Sequence, residues 1–188
     1  MATVKKNIFL QGISGSIGGQ IVVRNVQGQT ILAKAPGKRN LPASPKQQAR
    51  QDLFQKATLY AKSVKFDSAV VEAYRKKLRG PFDTAYHRAI TDFLHSPKVT
   101  QLDLSAYKGK SGGLIRIQAE DDFMVQRVMV QVVAPNGLLL EEGEAIAKGN
   151  GVDWEYQASV DVGALEGCKV VGIAVDTPGN RGVMERVL

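Results

Sequence analysis

The chain has 188 residues, 44% hydrophobic and 23% charged, the proportions of an ordinary globular protein; they exclude disorder throughout and leave room for one large domain or two small ones. Its net charge of +7 is unevenly laid down: residues 1–110 carry 19 Lys/Arg against 6 Asp/Glu, a net of about +13, and residues 111–188 carry 6 against 12, a net of about −6. The single cysteine, Cys168, excludes an intrachain disulfide, and no apolar run approaches the roughly 18 residues of a membrane span.

The first apolar run, Ile8-Phe9-Leu10, is too short for a secretory signal core. Cytoplasmic residence is the default expectation, with signal-less export or an assembled particle as the other settings. Residues 7–35 read as β. Ile13, Gly15, Ile17, Gly19, Ile21 and Val23 alternate with Ser14, Ser16, Gly18, Gln20, Val22 and Arg24, which predicts a strand over Ile13–Val23 with one apolar-or-small face. A turn at Val26-Gln27-Gly28 and a returning strand Thr30–Ala35 complete a predicted β-hairpin. The basic loop Pro36–Pro42 leads to Ser44, Pro45 and Gln47, a capping-box pattern that opens a helix over Pro45–Val64 with Ala49, Leu53, Ala57, Tyr60 and Val64 at helical spacing. Asp67 caps a second helix with Val70, Val71, Tyr74 and Leu78 on one face, stopped by Gly80-Pro81. Asp83 caps a third, with Ala89, Ile90, Phe93 and Leu94, ending before Pro97.

From residue 99 the pattern changes to short strands punctuated by turns: Val99–Ser105, Leu114–Ala119, Met124–Ala134, Leu138–Ala147, Trp154–Val160, Lys169–Asp176 and Gly182–Val187. The expected fold is therefore α+β, a basic region 1–98 of β-hairpin and three helices followed by an acidic antiparallel β-sandwich over 99–188. The run Gly151-Val152-Asp153-Trp154-Glu155-Tyr156, then Gly167-Cys168-Lys169-Val170-Val171, then Ala174-Val175-Asp176-Thr177-Pro178-Gly179-Asn180 resembles bacterial immunoglobulin-like domains. That resemblance covers about the last 75 residues of the chain and implies a binding or spacer module rather than a catalyst. The N-terminal half faintly resembles uncharacterised bacterial proteins with a Gly-rich hairpin before a Gln-rich helix start, a resemblance that implies no activity.

The chemistry-bearing motifs read mostly as structure. Gly12–Gly19 leads into a strand, whereas a dinucleotide loop leads into a helix N-terminus. Gly109-Lys110-Ser111 ends like a P-loop, but Leu104 stands where that motif needs its first glycine. His87 and His95 are eight residues apart, a poor spacing for sharing one ion. Glu120-Asp121-Asp122 and Glu141-Glu142-Gly143-Glu144 could hold calcium, but solvated turns are the simpler reading. Cys168, inside an apolar run, reads as a buried thiol. No catalytic constellation, metal site, cofactor or small-molecule substrate is expected.

Two binding features remain. The alternating set Ile13, Gly15, Ile17, Gly19, Ile21 and Val23 has the pattern of a strand that can add to a neighbour's sheet edge. The basic set is Lys34, Lys38, Arg39, Lys46 and Arg50, with Arg75, Lys76, Lys77 and Arg79 at the end of the second helix, where the helix dipole alone favours cations. The leading expectation is a non-enzymatic self-assembling structural protein, a homo-oligomer or polymer joined by strand addition and head-to-tail charge complementarity. The alternative is a sequence-nonspecific nucleic-acid-binding protein that uses the basic half.

Overall fold

The computed structural model describes residues 2–4, 12–26, 28–37, 42–78, 80 and 83–188. The chain forms two compact units, Met1–Pro45 and Lys46–Leu188. The division between these units lies at 45/46, and the helices share the second unit with the C-terminal strands.

The first unit is a four-stranded antiparallel sheet of β1 (Ala2–Val4), β2 (Gly15–Ile17), β3 (Ile21–Val26) and β4 (Gln29–Lys34), in the order β1-β4-β3-β2. This corrects the expected two-stranded hairpin. It also corrects the single strand Ile13–Val23, which folds back on itself. Gly18 and Gly19 take φ of 58° and 67°, and the Gln20 amide donates to the Ile17 carbonyl at 3.1 Å, so a tight turn separates β2 from β3. Two successive positive φ angles are cheap only for glycine. The alternation hides this turn because Ile17 pairs with Ile21, which keeps the apolar side chains in phase across it. The next turn is where it was expected: Val26 pairs with Gln29, and Gly28 has φ of 77°.

The second unit starts with α1 (Pro45–Ser63), a single 3-10 turn (Val64–Phe66), α2 (Ser68–Lys76) and α3 (Ala85–Leu94). Asp67 caps α2 as expected, accepting from the amides of Ala69 and Val70 at 3.0 and 3.1 Å. The cap of α3 is Thr84, which accepts from the His87 amide at 3.2 Å, and not Asp83, whose carboxylate accepts from Arg88 Nε at 2.6 Å. Residues 45–56 of α1 are all exposed, so Ala49 and Leu53 on the predicted apolar stripe reach no core, whereas Ala57 and Ala61 are buried. No described helix is long and apolar enough to cross a membrane.

Eight strands follow: β5 (Lys98–Asp103), β6 (Leu114–Glu120), β7 (Val125–Val133), β8 (Leu139–Glu144), β9 (Ile146–Ala147), β10 (Asp153–Gln157), β11 (Lys169–Asp176) and β12 (Arg181–Val187). They form two antiparallel sheets, β5-β6-β10-β9 and β12-β11-β7-β8. The inward residues of both share one core: Ile115, Ile117 and Trp154 from the first, Val128, Val130, Val132 and Val170 from the second. Gly172 marks the closest approach in the middle, where an added Cβ would lie 3.5 Å from Leu102 and 3.7 Å from Ile117.

The helices build a smaller core from Ala61, Val64, Tyr74 and Ala89, completed by Phe123 from the β6–β7 loop. The rings of Tyr74 and Phe123 stack at 4.3 Å between centroids, and Lys77 Nζ donates to the Phe123 carbonyl. Where α3 feeds β5, the Pro97 carbonyl presses on the backbone of Gly182 in β12, leaving no room for a Cβ. Gly182→Ala is expected to destabilise the protein by about 1–3 kcal/mol through this overpacking. Gly163→Ala, at a position facing open space, is expected to change stability little. Urea denaturation of both variants checks the pair.

Candidate interaction surface and carboxylate clusters

The predicted strand-addition residues do not form one strand, yet most of them share one surface. Gly15 and Ile17 lie in β2, Ile21 and Val23 in β3, Gly19 in the turn between them, and Ile13 ahead of β2. Cross-strand partners point to the same face of a sheet. Gly15 opposes Val23, Ile17 opposes Ile21, Val23 opposes Leu32, and Ile21 opposes Lys34. One face therefore carries Ile17, Ile21, Val23 and Leu32 with Lys34 at its margin. Val23 is buried, whereas Ile17 and Ile21 remain 51% and 43% exposed. Among the described strands of this unit β2 pairs only with β3, and no described strand covers its outer edge.

The basic set is drawn from both units. Lys34 ends β4, Lys46 and Arg50 stand one turn apart on the exposed half of α1, and Arg75, Lys76 and Lys77 close α2. Lys38, Arg39 and Arg79 lie outside the described residues. Within the α2 group the roles separate. Lys77 is a strut, bonded to the Phe123 carbonyl with its ammonium 5.1 Å from that ring's centroid. Arg75 pairs with Glu72 at 3.7 Å, and Lys76 is exposed.

The Ser111 amide of the P-loop-like tripeptide donates to the Asp161 carboxylate at 2.7 Å, which places an anion of the protein's own on that amide. His87 is exposed on α3, while His95 sits 3.1 Å from Asp122 and 3.0 Å from the Thr91 carbonyl. Cys168 is buried, its thiol directed at the Ala164 carbonyl.

The run Glu141–Glu144 is strand β8 and not a cation-binding turn. Glu141 points inward, and its Oε1 accepts from Tyr156 Oη at 2.9 Å, from the Ser159 amide and hydroxyl at 2.5 and 2.9 Å, and from the Val160 amide at 3.3 Å. The ring of Tyr156 lies over Gly143, where a Cβ would collide with it. Burial acts to raise the Glu141 pKa, but the donors from Ser159, Tyr156 and Val160 outweigh it and hold the carboxyl below its ordinary value. The burial of its own ring, followed by the same carboxylate, pushes the Tyr156 hydroxyl up to about 12.

In the Glu120–Asp122 loop the three acids part company. Asp122 faces His95, and Asp121 turns inward to meet Asp92 of α3 and Asp176 at the end of β11, with one oxygen from each within 4.8 Å of the others. Asp92 and Asp176 are each 2% exposed. The Tyr74 hydroxyl donates to Asp92 Oδ2 at 2.5 Å, the Phe123 and Met124 amides to Asp121 Oδ2 at 2.9 Å, and Asn180 to both oxygens of Asp176. Burial, followed by the charges of Asp121 and Asp176, pushes the Asp92 carboxyl up to about 7 against the Tyr74 hydrogen bond. Asp176 is also raised, first by burial. This cluster joins residues 92, 121 and 176 and was not anticipated. The one sign in sequence was an aspartate at 92 inside the apolar stripe of Ala89, Ile90 and Phe93.

No family model matches the chain, and no curated protein does. Among solved structures it is similar to a crystal structure of an engineered protein at 14% identity and a TM-score of 0.34, covering 58% of this chain and 28% of that one.

The Glu141 network carries a pH prediction. Because its folded pKa is depressed, Glu141 contributes stability that is complete above the unfolded value of about 4.3 and is lost as pH falls through the folded value. Glu141→Ala is expected to cost about 2–4 kcal/mol at pH 7, because buried donors lose their acceptor, and to flatten the acid limb of the stability profile. Denaturation midpoints of wild type and variant between pH 3 and 7 (roughly the span over which a carboxylate titrates) check both statements.

Proposed function

We propose that the chain is a non-enzymatic, self-assembling structural protein, a subunit of a filament, a phage-like particle or a contractile machine, in which residues 99–188 form an immunoglobulin-like module. Strand order supports the module. Sheets β5-β6-β10-β9 and β12-β11-β7-β8 run in the A-B-E-D and G-F-C-C′ orders of immunoglobulin-like sandwiches. The observation that carries assembly is the first unit itself. It leaves Ile17 and Ile21 half exposed beside an edge that no described strand covers, and residues 1–45 contain six Lys/Arg and no Asp or Glu. Among the described residues of this sheet Val23 is the one buried hydrophobic, and a small sheet is marginal alone and gains most from a cover.

The occupant is the β8 edge of a second copy. β8 pairs only with β7 among the described strands, and its outer side presents Leu139, Glu142 and Glu144, with Leu138 and Ile146 exposed at its ends. Residues 99–188 are net negative by about 5. An acidic, apolar-flanked edge thus complements a wholly basic sheet with exposed isoleucines. Backbone pairing of β2 to β8 continues the sheet, and a contact between two different faces propagates head to tail unless its rotation closes a ring.

The wholly basic first unit equally supports one second reading, sequence-nonspecific binding of nucleic acid through phosphates. Sedimentation velocity across concentration and salt tests the first reading. Assembly is expected to slow with salt more than its product dissolves, since charge steers association more than it holds it. The double variant Ile17→Glu, Ile21→Glu is expected to weaken association at least tenfold, a modest share of what burying two isoleucines contributes, with an unchanged far-UV spectrum. A compact monomer at high micromolar concentration overturns assembly. If that monomer binds duplex DNA with an affinity that falls steeply with salt, the nucleic-acid reading takes its place.

A further inference from the structure

The carboxylates of Asp92, Asp121 and Asp176 come from three places far apart in the chain, the third helix, the β6–β7 loop and the end of β11. Each spends part of its hydrogen-bonding capacity on protein donors. What remains is unusual: Asp92 Oδ1 and Asp121 Oδ1 are buried and accept no hydrogen bond. A buried, unpaired carboxylate oxygen is among the most costly groups a fold can hold, and two of them in a cluster with a third acid compound the cost by like-charge repulsion.

The cations nearby are engaged elsewhere. Lys77 and Arg88 line the cleft of about 320 Å³ onto which Asp92 opens, but Lys77 serves the Phe123 carbonyl and Arg88 the Asp83 carboxylate. Among the described residues no Lys or Arg forms an ion pair with any of the three aspartates. Oxygens bound to a common calcium lie at most about 5 Å apart, twice the metal–oxygen distance. The mutual limit of 4.8 Å here meets that condition. Asp121 is only half buried and lines a second cleft of about 500 Å³, which provides a way in from solvent and room for water ligands.

We propose that Asp92, Asp121 and Asp176 bind one hard divalent cation of the calcium class, through Asp92 Oδ1, Asp121 Oδ1 and a carboxylate oxygen of Asp176. The ion neutralises the orphaned oxygens and ties α3 to the β6–β7 loop and the β11–β12 turn, the three elements that meet there. Calcium suits the site better than magnesium. Two of the three ligands are almost fully buried, and magnesium surrenders its water shell reluctantly, whereas calcium accepts irregular all-oxygen surroundings. The cation is structural and has no part in the contact between copies, so its failure and the failure of assembly are separate results.

The test is calcium chloride added to the full chain after chelator treatment, read by thermal unfolding and by titration calorimetry. At about 100 times Kd the melting temperature is expected to rise by about 5–10 °C. Magnesium chloride is expected to bind at least tenfold more weakly. Asp121→Asn is expected to weaken calcium at least tenfold, while Asp103→Asn, at the end of β5 and outside the cluster, leaves binding unchanged. Should Asp121→Asn fail to fold, terbium bound to wild type and excited through the adjacent Tyr74 replaces it, with luminescence that calcium displaces. Several results overturn the proposal: no calcium heat or thermal shift up to roughly 10 mM, beyond the weakest calcium modules; an equal response in Asp121→Asn; magnesium as effective as calcium; or terbium luminescence that calcium leaves unchanged. A stability that falls as pH rises and ignores calcium also overturns it, by showing that the aspartates share a proton.

Discussion

The three helices cannot close a core of their own, and most of the second unit's arrangement follows from that. Ala61, Val64, Tyr74 and Ala89 leave a gap that Phe123 fills from a β loop, with its ring stacked on Tyr74. The side-chain amide of Asn180, in the turn between β11 and β12, donates to the carbonyls of Asp92 and Phe93 at the end of α3. That end of the helix has lost its next backbone partners and needs such donors. One turn of the β structure therefore finishes a helix, while one loop finishes the helical core. The helices are a layer added to the sheets rather than a separate domain.

This dependence explains what was and was not legible in sequence. Most strand positions from residue 98 onward could be read because the strands are short and set apart by turns, but the expected strand Leu138–Ala147 divides at Ala145 into β8 and β9, which belong to different sheets. Asp67 could be read as a cap because its carboxylate meets amides two and three residues on. Features that rest on distant residues were hidden. Nothing near Phe123 in sequence says that it belongs to a helical core. Asp83 and Thr84 are both good caps, and the Asp83 carboxylate is engaged by the Arg88 side chain, a contact that sequence does not display. The turn at Gly18-Gly19 was concealed by a parity coincidence, since Ile17 and Ile21 face one another and the alternation runs on unbroken. Asp92 looked like an ordinary polar interruption until α3 was seen to carry it against two other acids.

The charge pattern takes another meaning when it is divided between the two compact units. Split at 45/46, the excess of positive charge is pure in the first unit, with six Lys/Arg and no acid, while the second is close to balance at about +1. Within that second unit the helical stretch 46–98 is net about +6 and the strands 99–188 net about −5. The opposite charges of the helical layer and the sheets thus meet inside one folded body. The first unit holds no acid of its own to answer its six cations.

The lone tryptophan adds a last consequence. Trp154 lies in the core between the two sheets, whereas the helical layer is held by Tyr60, Tyr74, Phe93 and Phe123. Tryptophan emission therefore follows the sheets alone, and far-UV ellipticity near 222 nm (roughly the helical minimum) follows α1 to α3. A helical layer that peeled away first would leave the fluorescence trace flat while the helical signal fell. The overlap or separation of those two curves measures whether helices and sheets unfold as one cooperative body.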